Sequence, residues 1–488
     1  MKRIALIFII FGSLVTAASL LGDFIGLGRR GEIGAAQILG VDMGVGLFLL
    51  GAGLLTLDQA GSPVGSVSPY GWLRRVIDLP PLFWVVTSFV AVYLFLFVSP
   101  MFLATPSINY FTKYIPDAYV THIGFDIDMT MGRVGRWLAT GNSPYQDLYY
   151  YSPVTLIIFA PLLILGYPAY YNLSTFVTVM AFVGSSLILP LYFSRKRNFA
   201  FLLLLFVTGL FSYGFQFELE RGQYNVITFA LALFAIYLFH YHERLWFYAY
   251  LLFSLAIQLK IYPVFLTLMF IRDWRDWKNN LKRIAGLAFI NFALLFVLGY
   301  QLFIDFVRNL TGAQLDFQSS RREDLSIKGF VLDLTTDIFP SLGQHTALLE
   351  GLFLALFFLC LVAVVIADYR GKRKGWNPHL LLISTIGMLI IPSASVDYKL
   401  PLLIAPLAIL LSDLESAKTM GWKIISVILV FIASTAYWLT LYPFTVKPFI
   451  FSRNFPALFI LLLSATALYF VTANSTNDRE IADPEIRP

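Results

Sequence analysis

The sequence predicts an all-α protein that crosses a membrane many times. Of its 488 residues, 58% are hydrophobic and only 13% are charged, and the mean hydropathy is +0.74. A soluble chain of this size carries about a quarter charged residues, whereas many apolar runs here reach the roughly 20 residues that span a bilayer core. We therefore expect a polytopic membrane protein with about 12–14 transmembrane helices, some of them broken or re-entrant, and two larger outer loops.

Positive charge predicts the orientation of these helices. Lysine and arginine cluster in short segments between the apolar runs, as is typical of cytoplasmic loops; the clusters are Lys2-Arg3, Arg74-Arg75, Arg195 to Arg197, Arg272 to Arg283 and Arg370 to Lys374. Placing all of them inside makes both termini cytoplasmic and leaves residues 105–150 and 307–346 as the two large outer loops. The predicted location is the plasma membrane.

The chain divides into three predicted parts. Residues 1–80 read as two additional N-terminal transmembrane helices and a linker, residues 81–472 as a multispanning core, and residues 473–488 as a cytoplasmic tail. The tail sequence "NSTNDREIADPEIRP" is polar and charged, so we expect it to be disordered. The one cysteine, Cys360, lies in an apolar run, which excludes a disulfide framework and a cysteine metal site.

Two apolar runs do not fit one helix each. Residues 152–193 are long enough for two helices but must make one net crossing, and residues 246–271 are flanked by positive charge at both ends, so they must enter and return. The second run contains "AIQLKIYPVF", in which Lys260 is costly within a membrane and Pro263 breaks a helix. Broken helices are tolerated where they line a cavity, so this run is the first indication of a site.

The first outer loop contains "GFDIDMTMGRVGRW", which offers two acids. Asp126 and Asp128 are candidate catalytic groups, but an aspartate also favours a helix N-terminus. That structural interpretation suits Asp128, which directly precedes the predicted helix 129–140, better than Asp126. Arg133 and Arg136 either contact a substrate or extend from an amphipathic interfacial helix.

Further outer-face candidates occur in "GNSPYQDLYYYSP", "LERGQYN", "SSRREDLSIKG" and "PSASVDYK". Arginine and lysine suit phosphate, and an acid suits proton removal or a sugar hydroxyl. Simpler interpretations are an interfacial aromatic belt for Tyr149 and Tyr150 and solvation for Glu218 and Glu220. A metal-binding DxD at "DID" would need an α/β nucleotide-binding domain, which no stretch here could form. P-loop, GxGxxG, HExxH and GxSxG motifs are absent from the sequence.

Taken in chain order, the motifs "GFDID", "GNSPY", "YYSPVTLIIFAPL", "RGQYN", "LKIYP" and "SVDYKLPLL" resemble those of the multispanning C-type glycosyltransferases. The resemblance is strongest to glycosyltransferase family 87, the polyprenol-phosphate-mannose-dependent mannosyltransferases, and covers about residues 82–440. The chain departs from the family pattern in its first two spans, in "YSP" for the more usual "YPP", and in Asp397-Tyr398 where some relatives carry histidine. The last departure weakens the inference to mannose.

The resemblance implies an integral-membrane enzyme with the C-type fold. It would move a hexose, mannose first, from a polyprenyl-phosphate sugar to a lipid- or glycan-linked hydroxyl on the extracytoplasmic face, by one inverting displacement. Its partners would be the donor, the acceptor and membrane lipids, with no nucleic acid. It implies no nucleotide or redox cofactor, and it leaves a divalent cation open without requiring one.

The resemblance also implies roles for individual residues. Asp126 is the expected general base, with Asp128 as the second candidate. Lys260, with Arg221 or Arg322, is expected to hold the donor phosphate. The expected sugar- or acceptor-binding residues are Tyr145, Gln223, Asn225, Asp397, Tyr398 and Lys399.

Two other functions stay open at this point. A transporter or flippase of lipid-linked sugars would also explain a broken helix and Lys260, and it would gather its polar residues near the bilayer midplane. A glycan polymerase or ligase would, like the transferase, work at the outer interface.

Overall fold

A computed structural model describes residues 10–11, 13–14, 124–147, 149–167, 169–193, 199–210, 212–316, 324–371, 375–393, 395–414 and 454–480. The two predicted N-terminal helices, the predicted span near 422–441 and the candidate phosphate ligand Arg322 lie outside these ranges.

The described residues fold into α-helices joined by short 3₁₀ and π segments. The helices are α1 Phe125–Thr140, α2 Pro153–Phe159, α3 Ala169–Val183, α4 Leu189–Phe193, α5 Phe199–Leu210, α6 Tyr213–Arg221, α7 Asn225–Tyr241, α8 Trp246–Leu259, α9 Trp277–Leu295, α10 Tyr300–Asp316, α11 Ile327–Asp333, α12 Thr346–Arg370, α13 Pro378–Ile390, α14 Ile404–Leu414 and α15 Asn454–Glu480. Within the described ranges no strand is present, and one isolated bridge pairs Asp324 with Val396. The prediction of an all-α membrane protein is confirmed.

Several of these helices have the length and composition of membrane spans. In the described part of the chain, Ala169–Phe193 and Pro340–Arg370 are long and apolar enough to cross a membrane. Trp277–Leu295 and Tyr300–Thr311 pass the same test together but are bent by 104°. Shorter apolar helices surround them, so the total number of crossings stays a prediction.

The run 246–271 forms a helical hairpin, as predicted. Helix α8 ends at Leu259, and Lys260 has an extended backbone with φ −150° and ψ 131°. The chain then returns as the 3₁₀ segment Tyr262–Phe270. At the base of the hairpin, Nη1 of Arg272 lies 2.7 Å from Oε1 of Glu243, so both ends of the run lie together and Lys260 occupies the tip.

Helix α7 separates the two ends of this hairpin. Near the tip, the hydroxyl of Tyr262 donates to Oδ1 of Asn225, at the start of α7, over 2.6 Å. At the base, Arg272 donates to the carbonyl oxygen of Phe239, near the end of α7. A 17-residue helix is about 25 Å long at 1.5 Å per residue, so the tip and the basic segment at the base lie at opposite ends of the fold.

Two glycines bring helices α1 and α6 into contact. Gly124 precedes α1 with φ +75°, and Gly222 ends α6 with φ +67°; both backbones are left-handed, which favours glycine. The amide of Gly124 donates to the carbonyl oxygen of Glu220 over 2.6 Å. A methyl group at Gly222 would approach Cγ2 of Ile127 to 2.6 Å. The start of α1 is therefore held against the end of α6.

The start of α1 corrects the predicted helix boundary. The helix begins at Phe125 rather than at Met129, because left-handed Gly124 already serves as its N-cap. Asp126 and Asp128 lie in its first turn, and the N-cap makes no side-chain hydrogen bond. The interpretation of either acid as the N-cap is therefore wrong, although both favour the positive end of the helix.

Part of the predicted disordered tail is also helical. Helix α15 continues to Glu480, into the segment 473–488 for which we predict disorder. Propagation adds one backbone hydrogen bond for each residue fixed, so a helix that begins in an apolar run can extend into polar sequence. Residues 481–488 lie outside the described ranges.

The glycine contact predicts the effect of a substitution at Gly222. We expect Gly222→Ala to cost about 2–4 kcal/mol, because it adds left-handed strain and overpacks the contact with Ile127. The measurement is the thermal unfolding midpoint of the purified protein in detergent. Gly351→Ala is the matched control, since Gly351 lies in α12 with open space around it and alanine favours a helix. A midpoint for Gly222→Ala equal to that of Gly351→Ala would contradict the contact.

Candidate active site

Asp126 is the acid at the centre of the polar site. Its Oδ1 atom lies 3.4 Å from Nη1 of Arg221, at the end of α6. Its Oδ2 atom accepts a hydrogen bond from Nε2 of Gln223, in the turn that follows α6. The side chains of Asp126 and Arg221 are 18% and 19% exposed, so a substrate hydroxyl has access to the carboxylate.

Asp128 faces a different neighbour. Successive helix residues are separated by about 100°, so side chains two positions apart point to nearly opposite sides. The Asp128 carboxylate accepts a hydrogen bond from the hydroxyl of Tyr170, in α3. Of the two acids, Asp126 joins the site at the end of α6, whereas Asp128 links α1 to α3.

Lys260 reaches the same site from the tip of the hairpin. Its ammonium donates to Oε1 of Gln223 over 3.0 Å and lies 3.4 Å from the hydroxyl of Tyr151. The ammonium also lies 4.6 Å from the centre of the Tyr151 ring, a cation–π contact. The Gln223 amide therefore joins a carboxylate on one side to an ammonium on the other.

The "GNSPYQDLYYYSP" segment holds Tyr151 in this position. The hydroxyl of Tyr145 donates to the carbonyl oxygen of Tyr151 over 3.0 Å, and Oγ of Ser152 donates to the carbonyl oxygen of Gln258, just before the hairpin tip, over 2.8 Å. Burial raises the pKa of Tyr151 above its usual value of 10, so its hydroxyl stays neutral at physiological pH. Tyr145, a predicted sugar ligand, is itself buried beneath the site.

Tyr149 and Tyr150 differ in their surroundings. Tyr150 is 37% exposed, which is compatible with an interfacial belt, whereas Tyr149 is fully buried. The Tyr149 hydroxyl pairs with Oγ1 of Thr155 at 2.7 Å, and its backbone carbonyl accepts a hydrogen bond from Nδ2 of Asn309 over 2.6 Å. The belt interpretation of Tyr149 is therefore wrong, because the ring fills the core below Tyr151.

Glu218 belongs to a second buried polar chain. Its Oε2 atom accepts from Nδ2 of Asn225 over 2.7 Å, and its Oε1 atom accepts from the amide of Val226 over 3.0 Å. Asn225 in turn accepts from the hydroxyl of Tyr262. We expected Glu218 and Glu220 to be solvated, which is wrong: they are 0% and 6% exposed. The tight turn at Gly222 folds α6 back on α7 and buries them.

Two distant outer segments meet beside this chain. Asp324 forms the isolated bridge with Val396, and the amide of Leu325 donates to the carbonyl oxygen of Ser395 over 2.6 Å. Oδ1 of Asp324 accepts from the amides of Ser326 and Ser395 over 2.9 and 3.0 Å. Burial raises the pKa of Asp324. The second outer loop and the late "SVDYK" motif therefore pack as one unit.

The "SVDYK" motif packs onto α6 through its 3₁₀ segment Asp397–Leu403. A methyl group at Gly214 would approach the carbonyl oxygen of Asp397 to 2.7 Å, so glycine permits this contact. The ring of Tyr398 lies 5.5 Å from that of Phe217, centre to centre. Lys399 donates to Oγ of Ser395 over 3.2 Å and lies 4.8 Å from the centre of the Tyr262 ring.

The structure brings most of the predicted site residues together. Asp126, Arg221, Gln223 and Lys260 are in direct contact, and Asn225, Asp397, Tyr398 and Lys399 lie on the elements that flank them. Arg133 is buried, whereas Arg136 is exposed. In the described part of the chain, no group of three or more His, Cys, Asp or Glu residues is arranged to hold a metal ion.

Sequence reasoning missed three contributors to the site. They are Tyr151, Tyr262 and Glu218. Glu218 had a sequence signal, because it is a carboxylate in the largely apolar stretch "FSYGFQFELE" before a turn glycine. Buried charge of that kind needs partners, and the turn supplies them from the N-terminus of α7.

An acid, an amide and an ammonium that meet at helix ends define a membrane protein equipped to handle a proton and an anionic group. A model of glycosyltransferase family 87 matches residues 149–392, half of the chain. The protein therefore belongs to glycosyltransferase family 87, and it is a membrane glycosyltransferase. Asp126 and Asp128 precede the matched region. The searches of curated proteins and of solved structures found no match.

The buried position of Glu218 predicts a loss of stability on its removal. We expect Glu218→Ala to cost about 1–3 kcal/mol or more, because Asn225 and the amide of Val226 would lose their acceptor while buried. Glu243→Ala is the matched control, since the Glu243 side chain is 81% exposed and surface ion pairs contribute little. The measurement is the thermal midpoint of both variants, and equal midpoints would contradict the buried network.

Proposed function

We propose that this glycosyltransferase moves a hexose, mannose first, from a polyprenyl-phosphate sugar to a hydroxyl of a lipid- or glycan-linked acceptor. The observation that carries the proposal is the contact chain from Asp126 through Gln223 to Lys260. It places a group able to accept a proton next to a group able to hold a phosphate. Transfer from a lipid phosphate to a hydroxyl needs both.

The proposed reaction is one displacement. Asp126 takes the proton of the acceptor hydroxyl while the acceptor oxygen forms a bond to the anomeric carbon. The bond between that carbon and the phosphate oxygen breaks on the opposite side, and its electron pair stays with the prenyl phosphate. The product carries the inverted anomeric configuration. The reaction requires no nucleotide or redox cofactor.

Arg221 and Gln223 would support the base rather than the phosphate. Arg221 lies against the Asp126 carboxylate and keeps it anionic before the proton arrives. Gln223 donates to the same carboxylate and accepts from Lys260, so it fixes the geometry between them. Asn225, Asp397 and Tyr398 are the proposed contacts to sugar and acceptor hydroxyls, close to this chain.

The prenyl chain is proposed to lie outside the hairpin tip. Ile261 and Val264, just after Lys260, are 45% and 46% exposed. Apolar surface beside a phosphate-binding ammonium suits an amphipathic donor with a charged head and a hydrocarbon tail. A donor bound there would enter from the bilayer rather than from water.

The proposed active-site face is extracytoplasmic, with both termini in the cytoplasm. Support comes from the opposite ends of α7, because the site lies at one end and the basic segment from Arg272 to Arg283 begins at the other. Basic segments are typical of the cytoplasmic face. The polar groups also gather at helix ends rather than along one helix, which favours a transferase over a flippase.

Replacement of the two acids tests the base. We expect Asp126→Asn to lower kcat by about 10²–10⁴, the usual contribution of a general base, and Asp128→Asn to lower it by less than about tenfold because asparagine still accepts from Tyr170. The measurement is sugar transfer by the purified protein from prenyl-phosphate mannose, glucose and arabinose. NMR of the product reports its anomeric configuration. Full activity in both variants, or retention of configuration, would contradict the mechanism.

Cysteine labelling tests the proposed face. Asn142 in the "GNSPY" turn and Lys278 in the basic segment are both exposed, and Cys360 is buried and replaced by serine in the background. We expect an impermeant maleimide to label Asn142→Cys in intact cells and Lys278→Cys only after permeabilisation. The reverse pattern would place the site on the cytoplasmic face.

A further inference from the structure

The neighbours of Lys399 differ from those expected of a sugar ligand. Lys399 is only 6% exposed. Its ammonium contacts the face of the Tyr262 ring at 4.8 Å and the hydroxyl of Ser395 at 3.2 Å. Tyr262 follows the hairpin tip that carries Lys260, so the two lysines approach one another from opposite sides of the same short segment.

Two buried ammonium groups near each other are costly without an anion. The charges of Lys260 and Lys399 are close enough to repel one another, and burial weakens the solvent screening of that repulsion. The negative charges of Glu218 and Asp324 partly offset it. Both carboxylates, however, are occupied by hydrogen bonds from backbone or amide groups.

Arg221 is poorly placed to share a phosphate with Lys260. Its guanidinium lies against Asp126 at 3.4 Å and over the ring of Phe217 at 5.4 Å. Lys260, in contrast, donates to Gln223 from the side of the amide away from Asp126. A phosphate bound by Lys260 on the side of Tyr262 would meet Lys399 rather than Arg221.

We infer that Lys399 is the second cation of the donor-phosphate site, and that the phosphate binds between Lys260 and Lys399 beside Tyr262. This inference rests on the proposed function and specifies which residues receive the phosphate. Ser395 orients the Lys399 ammonium, and the bridge between Asp324 and Val396 fixes the segment that carries it. The second outer loop thereby supports the phosphate site without a ligand of its own.

Binding of farnesyl phosphate by the full-length protein in nanodiscs tests this site, with farnesol as the uncharged probe. We expect Lys399→Met to weaken farnesyl phosphate by about 10- to 100-fold, the usual effect of losing a charged hydrogen bond, and to leave farnesol unchanged. Lys399→Arg should restore most of the affinity, because arginine also binds phosphate. Lys328→Met, on α11, is the matched control and should bind like the wild type.

The outcomes separate this inference from the proposed function. Wild-type affinity for farnesyl phosphate in Lys399→Met, with a raised KM for the sugar donor, would return Lys399 to a sugar-binding role and overturn the inference. Failure of the wild type to bind farnesyl phosphate would contradict the proposed donor class and with it the inference. Lys399→Gln replaces Lys399→Met if the latter does not fold, with the same results expected.

Discussion

The site depends on one side chain, the amide of Gln223, which joins a carboxylate to an ammonium. An amide has a donor end and an acceptor end, so it can satisfy Asp126 and Lys260 at once. Direct contact between these two charges would neutralise both, and wide separation would prevent them from acting on one substrate. The amide holds them apart at a fixed spacing, which a displacement reaction requires because its base and its leaving group lie on opposite sides of one carbon.

This arrangement makes demands on the backbone. The amide can reach Asp126 only because α1 and α6 touch at Gly124 and Gly222, and it can reach Lys260 only because α8 ends at Leu259 and turns. Each of these features is locally unfavourable: a left-handed residue, a close helix contact and a lysine at a helix break. The large apolar core that packs α7, α13 and α14 together stabilises the fold against such costs, as is common at functional sites.

Much of this was predictable from the sequence. Composition and apolar run length predicted an all-α membrane protein, and the charge flanking 246–271 predicted a hairpin with Lys260 at its tip, because both follow from the cost of polar groups in a membrane. The resemblance in ordered motifs predicted the family. The candidate base and its neighbours came from the same motifs, although their roles stay predictions.

Other features could not be predicted, because they depend on contacts between distant segments. Whether Asp126 or Asp128 faces the site depends on where α1 begins, which Gly124 decides through its contact with α6. The burial of Glu218 depends on the turn at Gly222, and the position of Lys399 depends on the bridge between Asp324 and Val396. Local pattern fixes none of these three.

The most direct measurement is a cryo-electron microscopy structure of the protein in lipid nanodiscs with a non-reactive prenyl-phosphate sugar analogue. The account predicts the phosphate within hydrogen-bond distance, about 3 Å, of Lys260, with Asp126 on the opposite side of the anomeric carbon. A phosphate bound away from Lys260, or an Asp126 carboxylate on the same side of that carbon as the phosphate, would contradict it.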